Sequence, residues 1–235
     1  ATFGQAVHWA LNKAFRSLKE DGNEFPLTED FMKEFRWYMY RNRDSFTKED
    51  FKLRLDYGEK ILPPYYNQNI EIWNKNAVTE RSIKNVEVAG VPIKGNLDKV
   101  EFNGKEVTVV DYKTGKLKYA KDKFNRGGLE EPGGDYWRQA VFYKILVDND
   151  HTLDWQVVST IFEFVEPVDD EYYKEKIVIT PEDTETVTDQ IKDVYQKIMN
   201  HDFNTGCGKK ECDWCHFVKS NFKQVGGVMQ EEENL

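Results

Sequence analysis

Asp98, Asp111 and Lys113 lie in two stretches whose pattern places them side by side, Gly95-Asn96-Leu97-Asp98 and Val110-Asp111-Tyr112-Lys113-Thr114-Gly115-Lys116. Between the stretches, Asn103-Gly104 is flanked by alternating apolar residues, the strongest short-range sign of a two-residue hairpin turn. Such a turn pairs Phe102 with Lys105 and sets Asp98 opposite Val109, with Asp111 as its diagonal neighbour. Side chains alternate along a strand, so Asp98, Val100, Phe102, Val107, Val109, Asp111 and Lys113 share one face. Diagonal Cβ atoms lie about 7–8 Å apart, close enough for both carboxylates to reach one metal ion. Charges on a core face are costly without partners. A divalent cation between the aspartates, with a lysine beside it, removes much of that cost. The bland alternative is a surface hairpin with an Asp/Lys ion pair.

An aspartate followed by Asp-x-Lys on the next strand resembles the PD-(D/E)xK nuclease superfamily. Further motifs resemble its RecB/AddAB-type branch. A histidine in an early helix fits Gly4-Gln5-Ala6-Val7-His8, a glutamate before the hairpin fits Val78-Thr79-Glu80-Arg81, and a later Gln-x-x-x-Tyr helix fits Gln139 to Tyr143. Each is weak alone; five in order make a strong signal. The resemblance implies an α/β, restriction-endonuclease-like core, a mixed sheet flanked by helices, with residues 20–75 as a helical insertion. It also implies phosphodiester hydrolysis with Mg²⁺ or Mn²⁺. His8, Asp98, Asp111 and the Tyr112 carbonyl would be metal ligands. Lys113 would act on water and phosphate, and Gln139 and Tyr143 would contact the lysine or the substrate phosphate. Glu80 stays open between a site role and a strand-surface charge.

The net charge of −9 argues against nonspecific nucleic-acid binding by the whole surface. Lys113, Lys116, Lys118, Lys121, Lys123 and Arg126, however, lie in one stretch opposed only by Asp122. Lys116, Lys118, Lys121, Lys123 and Arg126 are candidate DNA contacts; the alternative is a solvated lysine-rich loop. No run of apolar residues is long enough to span a membrane and no signal-peptide pattern shows, which points to a cytoplasmic protein without a membrane partner.

Periodicity predicts helices over 5–20, 28–42 and 47–62, with Thr28 and Thr47 as N-caps and Pro63-Pro64 breaking the third before a possible resumption to Trp73. Strands are expected over 78–91, along the hairpin, and over 157–164 and 176–179. A helix is expected from Tyr136 to Val147, and a last one opens at Thr180-Pro181. The whole chain reads as a single domain, with a cysteine-containing segment over 205–235 and a disordered acidic tail at 231–234.

Cys207, Cys212 and Cys215, followed by His216, have metal-like spacing. One RecB-like group holds a 4Fe–4S cluster on three C-terminal cysteines and one upstream. No cysteine precedes Cys207 here, so an iron–sulfur cluster is not expected. Zinc completed by His201 or His216, or free thiols, remain open, as does simple packing of the segment through Trp214 and Phe217. The abrupt start and the lack of a GxxxxGK[ST] loop suggest a nuclease domain cut from a helicase–nuclease, with the helicase upstream and a second subunit as partner. The alternatives are a stand-alone or CRISPR-associated exonuclease, or a DNA-binding module of the same fold without catalysis.

Overall fold

A computed structural model describes residues 2–20, 22–128, 131–202, 212–218 and 220. The chain forms two compact units, Ala1–Thr188 and Asp189–Leu235. The elements run α1 (Thr2–Glu20), α2 (Thr28–Arg41), α3 (Lys48–Asn69), β1 (Ala77–Val88), β2 (Val91–Asn103), β3 (Glu106–Lys113), α4 (Asp135–Asp148), β4 (Gln156–Phe164), β5 (Lys174–Val178) and α5 (Pro181–Met199). The strands form one sheet in order β1-β2-β3-β4-β5. All neighbours are antiparallel except β3 and β4, which are parallel. The parallel pair needs a crossover, which α4 supplies. This is the mixed, helix-flanked α/β sheet expected of a restriction-endonuclease-like core.

Helix α1 buries a stripe of Ala6, Val7, Ala10, Leu11, Ala14, Phe15 and Leu18. Phe31, Met32, Phe35 and Met39 of α2 join that core, as do Val110 and Tyr112 of β3. Side chains alternate along β3, so Val109, Asp111 and Lys113 point to the other face, where α4 lies. His8 sits at the border of the α1 stripe and is only half-buried.

Three expectations need correction. Helix α3 runs unbroken through Pro63 and Pro64. Each mid-helix proline costs roughly 3 kcal/mol. The same stretch buries Tyr65 and Tyr66 completely, and rings of about 150–250 Å² contribute about 4–6 kcal/mol each. Thr28 is not a cap: it is the first helical residue and its hydroxyl donates to Asn67. Thr47 does cap α3, accepting from the Asp50 N–H at 3.1 Å.

The hairpin register is the third. Phe102 pairs with Val107 and Asn103 with Glu106, so the turn residues are Gly104 and Lys105. Gly104 has φ +65° and Lys105 is not among the left-handed residues. That pattern suits a II′ turn, which places Gly first. A shift of two in the pairing leaves every side chain on its expected face, whereas a shift of one would invert them all. The pairing ends at Lys99 with Val110. Extending that register one step past the last pair aligns Asp98 with Asp111 and no longer with Val109.

Candidate active site

The carboxylates line up across three strands. The pairs Thr79 with Lys99 and Arg81 with Leu97 put Glu80 of β1 opposite Asp98 of β2, and Asp111 of β3 follows. Glu80 has φ +50°, a left-handed conformation that costs a non-glycine residue about 1–3 kcal/mol and clusters at functional sites. Glu80, which the sequence left open, thus belongs to the same cluster. One ligand atom each from His8, Glu80 and Asp98 lies within 4.8 Å of the others.

Helix α1 brings His8 to this row. Its Nδ1 lies 3.3 Å from Asp98 Oδ1 and its Nε2 lies 3.0 Å from the Tyr112 carbonyl oxygen. Both ring nitrogens therefore face acceptors, which only an imidazolium satisfies as a double donor. Burial alone would lower the His8 pKa, but the hydrogen bond to Asp98 and the charges of Asp98 and Asp111 prevail and raise it above the ordinary histidine value. The Tyr112 N–H donates to Asp98 Oδ2 at 3.0 Å, so both ends of the Asp98 carboxylate are fixed.

Helix α4 approaches Asp111. Gln139 Nε2 donates to Asp111 Oδ1 at 2.9 Å and the Tyr143 hydroxyl donates to the same oxygen at 2.7 Å. Lys113 Nζ sits 2.8 Å from Asp111 Oδ2 and donates to Gln139 Oε1 at 2.8 Å. The Tyr143 hydroxyl is pushed far above its usual range, chiefly by burial and then by Asp111, so it stays a proton donor. Asp111 is held above the usual carboxylate range by burial and by Asp98, against the pull of Lys113. Glu80 is raised by burial and by Asp98.

This donor set fits a divalent cation. Three carboxylates share a small volume, and two resist ionisation because nothing nearby neutralises them fully. Imidazole, carboxylate and backbone carbonyl oxygen suit Mg²⁺ or Mn²⁺. Of the ligands expected from sequence, His8 and Asp98 gather with Glu80, the Tyr112 carbonyl reaches His8, and Asp111 lies on the Lys113 side with its oxygens on Gln139, Tyr143 and Lys113.

Two residues beside Lys113 escaped the sequence reading. Its ammonium lies 4.5 Å from the centre of the Tyr136 ring and 5.2 Å from that of Phe162. Tyr136 was legible in principle, three residues before Gln139 on the same helix face. Phe162 was not, because its place opposite Asp111 depends on the parallel β3–β4 register.

The basic stretch follows β3 as two short turns, Leu117–Tyr119 and Lys121–Phe124. Phe124 anchors it against Tyr136 and Phe162, beside Lys113. Lys116, Lys118, Lys121 and Lys123 are exposed. Arg126 is exposed too but committed: it donates to Asp183 and to the Val178 carbonyl. Cys207 and the acidic tail lie outside the described residues. Cys212 and Cys215 are half-buried in the second unit. Trp214 and Phe217, expected to bury apolar area, are instead 80% and 63% exposed. Among the described residues, no helix is long and apolar enough to cross a membrane.

No curated protein sequence matches the chain. A crystal structure of a protein from Eubacterium rectale, provisionally named an exonuclease, superposes with a TM-score of 0.50 at 12% identity, covering 89% of this chain and 74% of that one. At that identity the likeness concerns the fold alone. A second crystal structure, of SSO0001, aligns with a TM-score of 0.36 at 18% identity over 91% of this chain and 82% of its own, too loosely to carry an argument. A family profile matches residues 1–220, a span that holds all five motifs and the cluster they build. The chain belongs to the PD-(D/E)XK nuclease superfamily.

Proposed function

We propose that this protein is a Mg²⁺- or Mn²⁺-dependent deoxyribonuclease, an exonuclease of the RecB/AddAB type that processes DNA ends in recombinational repair together with a helicase. The observation that carries the hydrolytic reading is the cluster of His8, Glu80 and Asp98, with the Asp111–Lys113 pair on the next strand. The exonuclease and repair assignments rest on the order of the motifs, and the helicase partner on the resemblance to the RecB/AddAB branch.

A bound divalent cation supplies charge neutralisation at the phosphoryl oxygens and an acidified water. The chain's own residues do the rest. Asp98, Asp111, His8, Glu80 and the Tyr112 carbonyl would hold the ion. Lys113 is held by Asp111, Gln139 and the Tyr136 face, so its ammonium has a fixed position. From there it orients the attacking water and donates to a non-bridging phosphate oxygen as negative charge grows in the transition state. Gln139 and Tyr143 keep Asp111 and Lys113 in register. The attacking water releases a proton to solvent as its oxygen bonds to phosphorus, the bridging P–O bond breaks, and the leaving oxygen takes a proton from solvent. Digestion of end-labelled DNA with Mg²⁺ or Mn²⁺, and none with EDTA, is the expected result. Intact DNA under all conditions would leave only a binding module.

Ion binding should displace the His8 proton. His8 is held above its ordinary pKa, so near neutral pH it keeps more of its proton than a free imidazole would, and the ion must displace it. Apparent Mn²⁺ affinity should therefore climb from about pH 6 to about pH 8, with proton release visible by calorimetry in buffers of different ionisation enthalpy. Binding without proton release at the lower pH would place the ion away from His8.

The lysine loop should carry electrostatic affinity. Replacing Lys118, Lys121 and Lys123 with Gln should weaken DNA binding and reduce the log K–log[salt] slope by about 0.7–0.9 for each phosphate no longer neutralised. An unchanged slope would assign the DNA path to another surface. Arg126 is left out of the triple variant because its removal would leave the buried Asp183 carboxylate without its cation.

A further inference from the structure

A cleft of about 590 Å³ opens beside the metal cluster, between α1, α2 and β1. Its wall includes Gln5, His8, Trp9, Asn12, Tyr38 and Glu80. His8 and Glu80 thus belong to both the cleft and the cluster. The Trp9 ring is held from several sides: it stacks on Trp37 with centroids 5.2 Å apart and planes 22° off parallel, Tyr38 meets it at 5.8 Å, and its indole N–H donates to Glu34 at 2.8 Å. Lys13 Nζ lies 4.8 Å from the ring centre, and Arg41 covers Trp37 at 5.0 Å.

We propose that this cleft binds one unpaired nucleobase of the DNA strand being cut, stacked on Trp9 and Tyr38, and that the enzyme therefore acts on single-stranded or frayed ends. The proposal rests on the hydrolytic reading of the adjoining cluster. Three observations support a base as occupant. The cleft shares His8 and Glu80 with the cluster, so the nucleotide next to a phosphate held at that cluster has to enter or skirt it. Among the described residues, no lysine or arginine lines it to draw a phosphate in, while its aromatic and amide groups suit a neutral heterocycle. Asn12 accepts from the Thr79 hydroxyl at 2.7 Å through Oδ1, which leaves its amide nitrogen as a donor for a base edge. Lys13 lies over the Trp9 ring and Arg41 over Trp37; a base stacking on Trp9 would displace the mobile Lys13 ammonium, which would then be free to pair with a flanking phosphate. Ring-to-base stacking is tolerant of sequence, and a base paired within a duplex would first have to be extruded at a cost of a few kcal/mol.

The test combines abasic substitution in the DNA with substitution of Trp9. Single-stranded oligonucleotides carrying one abasic site at successive positions are cut by the wild-type protein. One position next to the scissile phosphate should lose about tenfold in kcat/KM, the worth of one stacked base. Trp9→Leu should lose about as much on the intact strand and nothing more on the strand abasic at that position, because both changes remove the same stacking interaction. Trp9→Phe should retain most of the activity, which a failure to fold would not allow. Additive losses, or no sensitive position, would overturn the proposal. Tryptophan fluorescence with oligothymidylate and Ca²⁺ separates the two readings. Quenching that Trp9→Leu removes, without cleavage of any DNA, would keep the base site and sink hydrolysis. Cleavage indifferent to every abasic position would do the reverse, and absence of both signals would sink both.

Discussion

Asp111→Ala should lose at least about a thousandfold in kcat/KM with either Mg²⁺ or Mn²⁺, roughly 4 kcal/mol of transition-state stabilisation. Asp111 is where the two halves of the site join. One carboxylate oxygen faces Lys113 and the other accepts from Gln139 and Tyr143, and β-register places the residue across from Asp98. Removing it takes away a proposed metal ligand and frees the lysine at once. The fold should survive. Burial and Asp98 hold Asp111 above the usual carboxylate range, so its ionisation costs stability as pH rises past the ordinary carboxylate value, and the cost is complete above the raised one. The metal-free protein should therefore gain stability when the charge is removed. Asp111→Asn should unfold in EDTA at the wild-type temperature or above it, and the advantage should vanish as pH falls below the ordinary carboxylate range. Cleavage by Asp111→Ala at wild-type rates would place the chemistry elsewhere.

Lys113→Ala should show a different signature. It should lose about 10²–10⁴ in kcat, the usual worth of a positioned proton-transfer or charge-stabilising group, while Mn²⁺ affinity stays within a few-fold. The lysine meets Asp111 through one oxygen only and offers no lone pair to a cation. Single-turnover rates beside a metal titration will separate the two roles. A collapse of metal affinity equal to that of Asp111→Ala would mean that Lys113 organises the ligands and leaves the water and phosphate to another group.

Much of this site could be read before the structure because it depends on local rules. The faces of β2 and β3 follow from strand alternation, and that alternation survives the misplaced turn: shifting the loop from Asn103-Gly104 to Gly104-Lys105 keeps parity. The shift still mattered, since it moved Asp98 from diagonal to directly opposite Asp111. Gln139 and Tyr143 follow from one helical turn. What could not be read depends on long-range packing. Glu80 looked like any strand glutamate until the β1–β2 register set it beside Asp98 in a left-handed backbone conformation. Phe162 needed the parallel β3–β4 register. Pro63-Pro64 read as a break because proline rules are local, whereas the burial of Tyr65 and Tyr66 that outweighs them is tertiary. Arg126 looked like one more cation of the loop, yet Asp183 and the Val178 carbonyl, more than fifty residues away in sequence, claim it. Trp9 carried no signal beyond helical amphipathicity; its stacking on Trp37 appears only when α2 lies against α1.

If β2, β3 and the first helix together hold a catalytic cation, crystals grown with Mn²⁺ and measured at the manganese absorption edge will reveal it. An anomalous peak is expected among the Asp98 and Asp111 carboxylates, the Tyr112 carbonyl and a His8 ring nitrogen, at ordinary ligand distances of about 2.0–2.3 Å, and no such peak in Asp111→Ala crystals. A peak only elsewhere on the chain, or none among these residues at saturating Mn²⁺, would contradict the assignment.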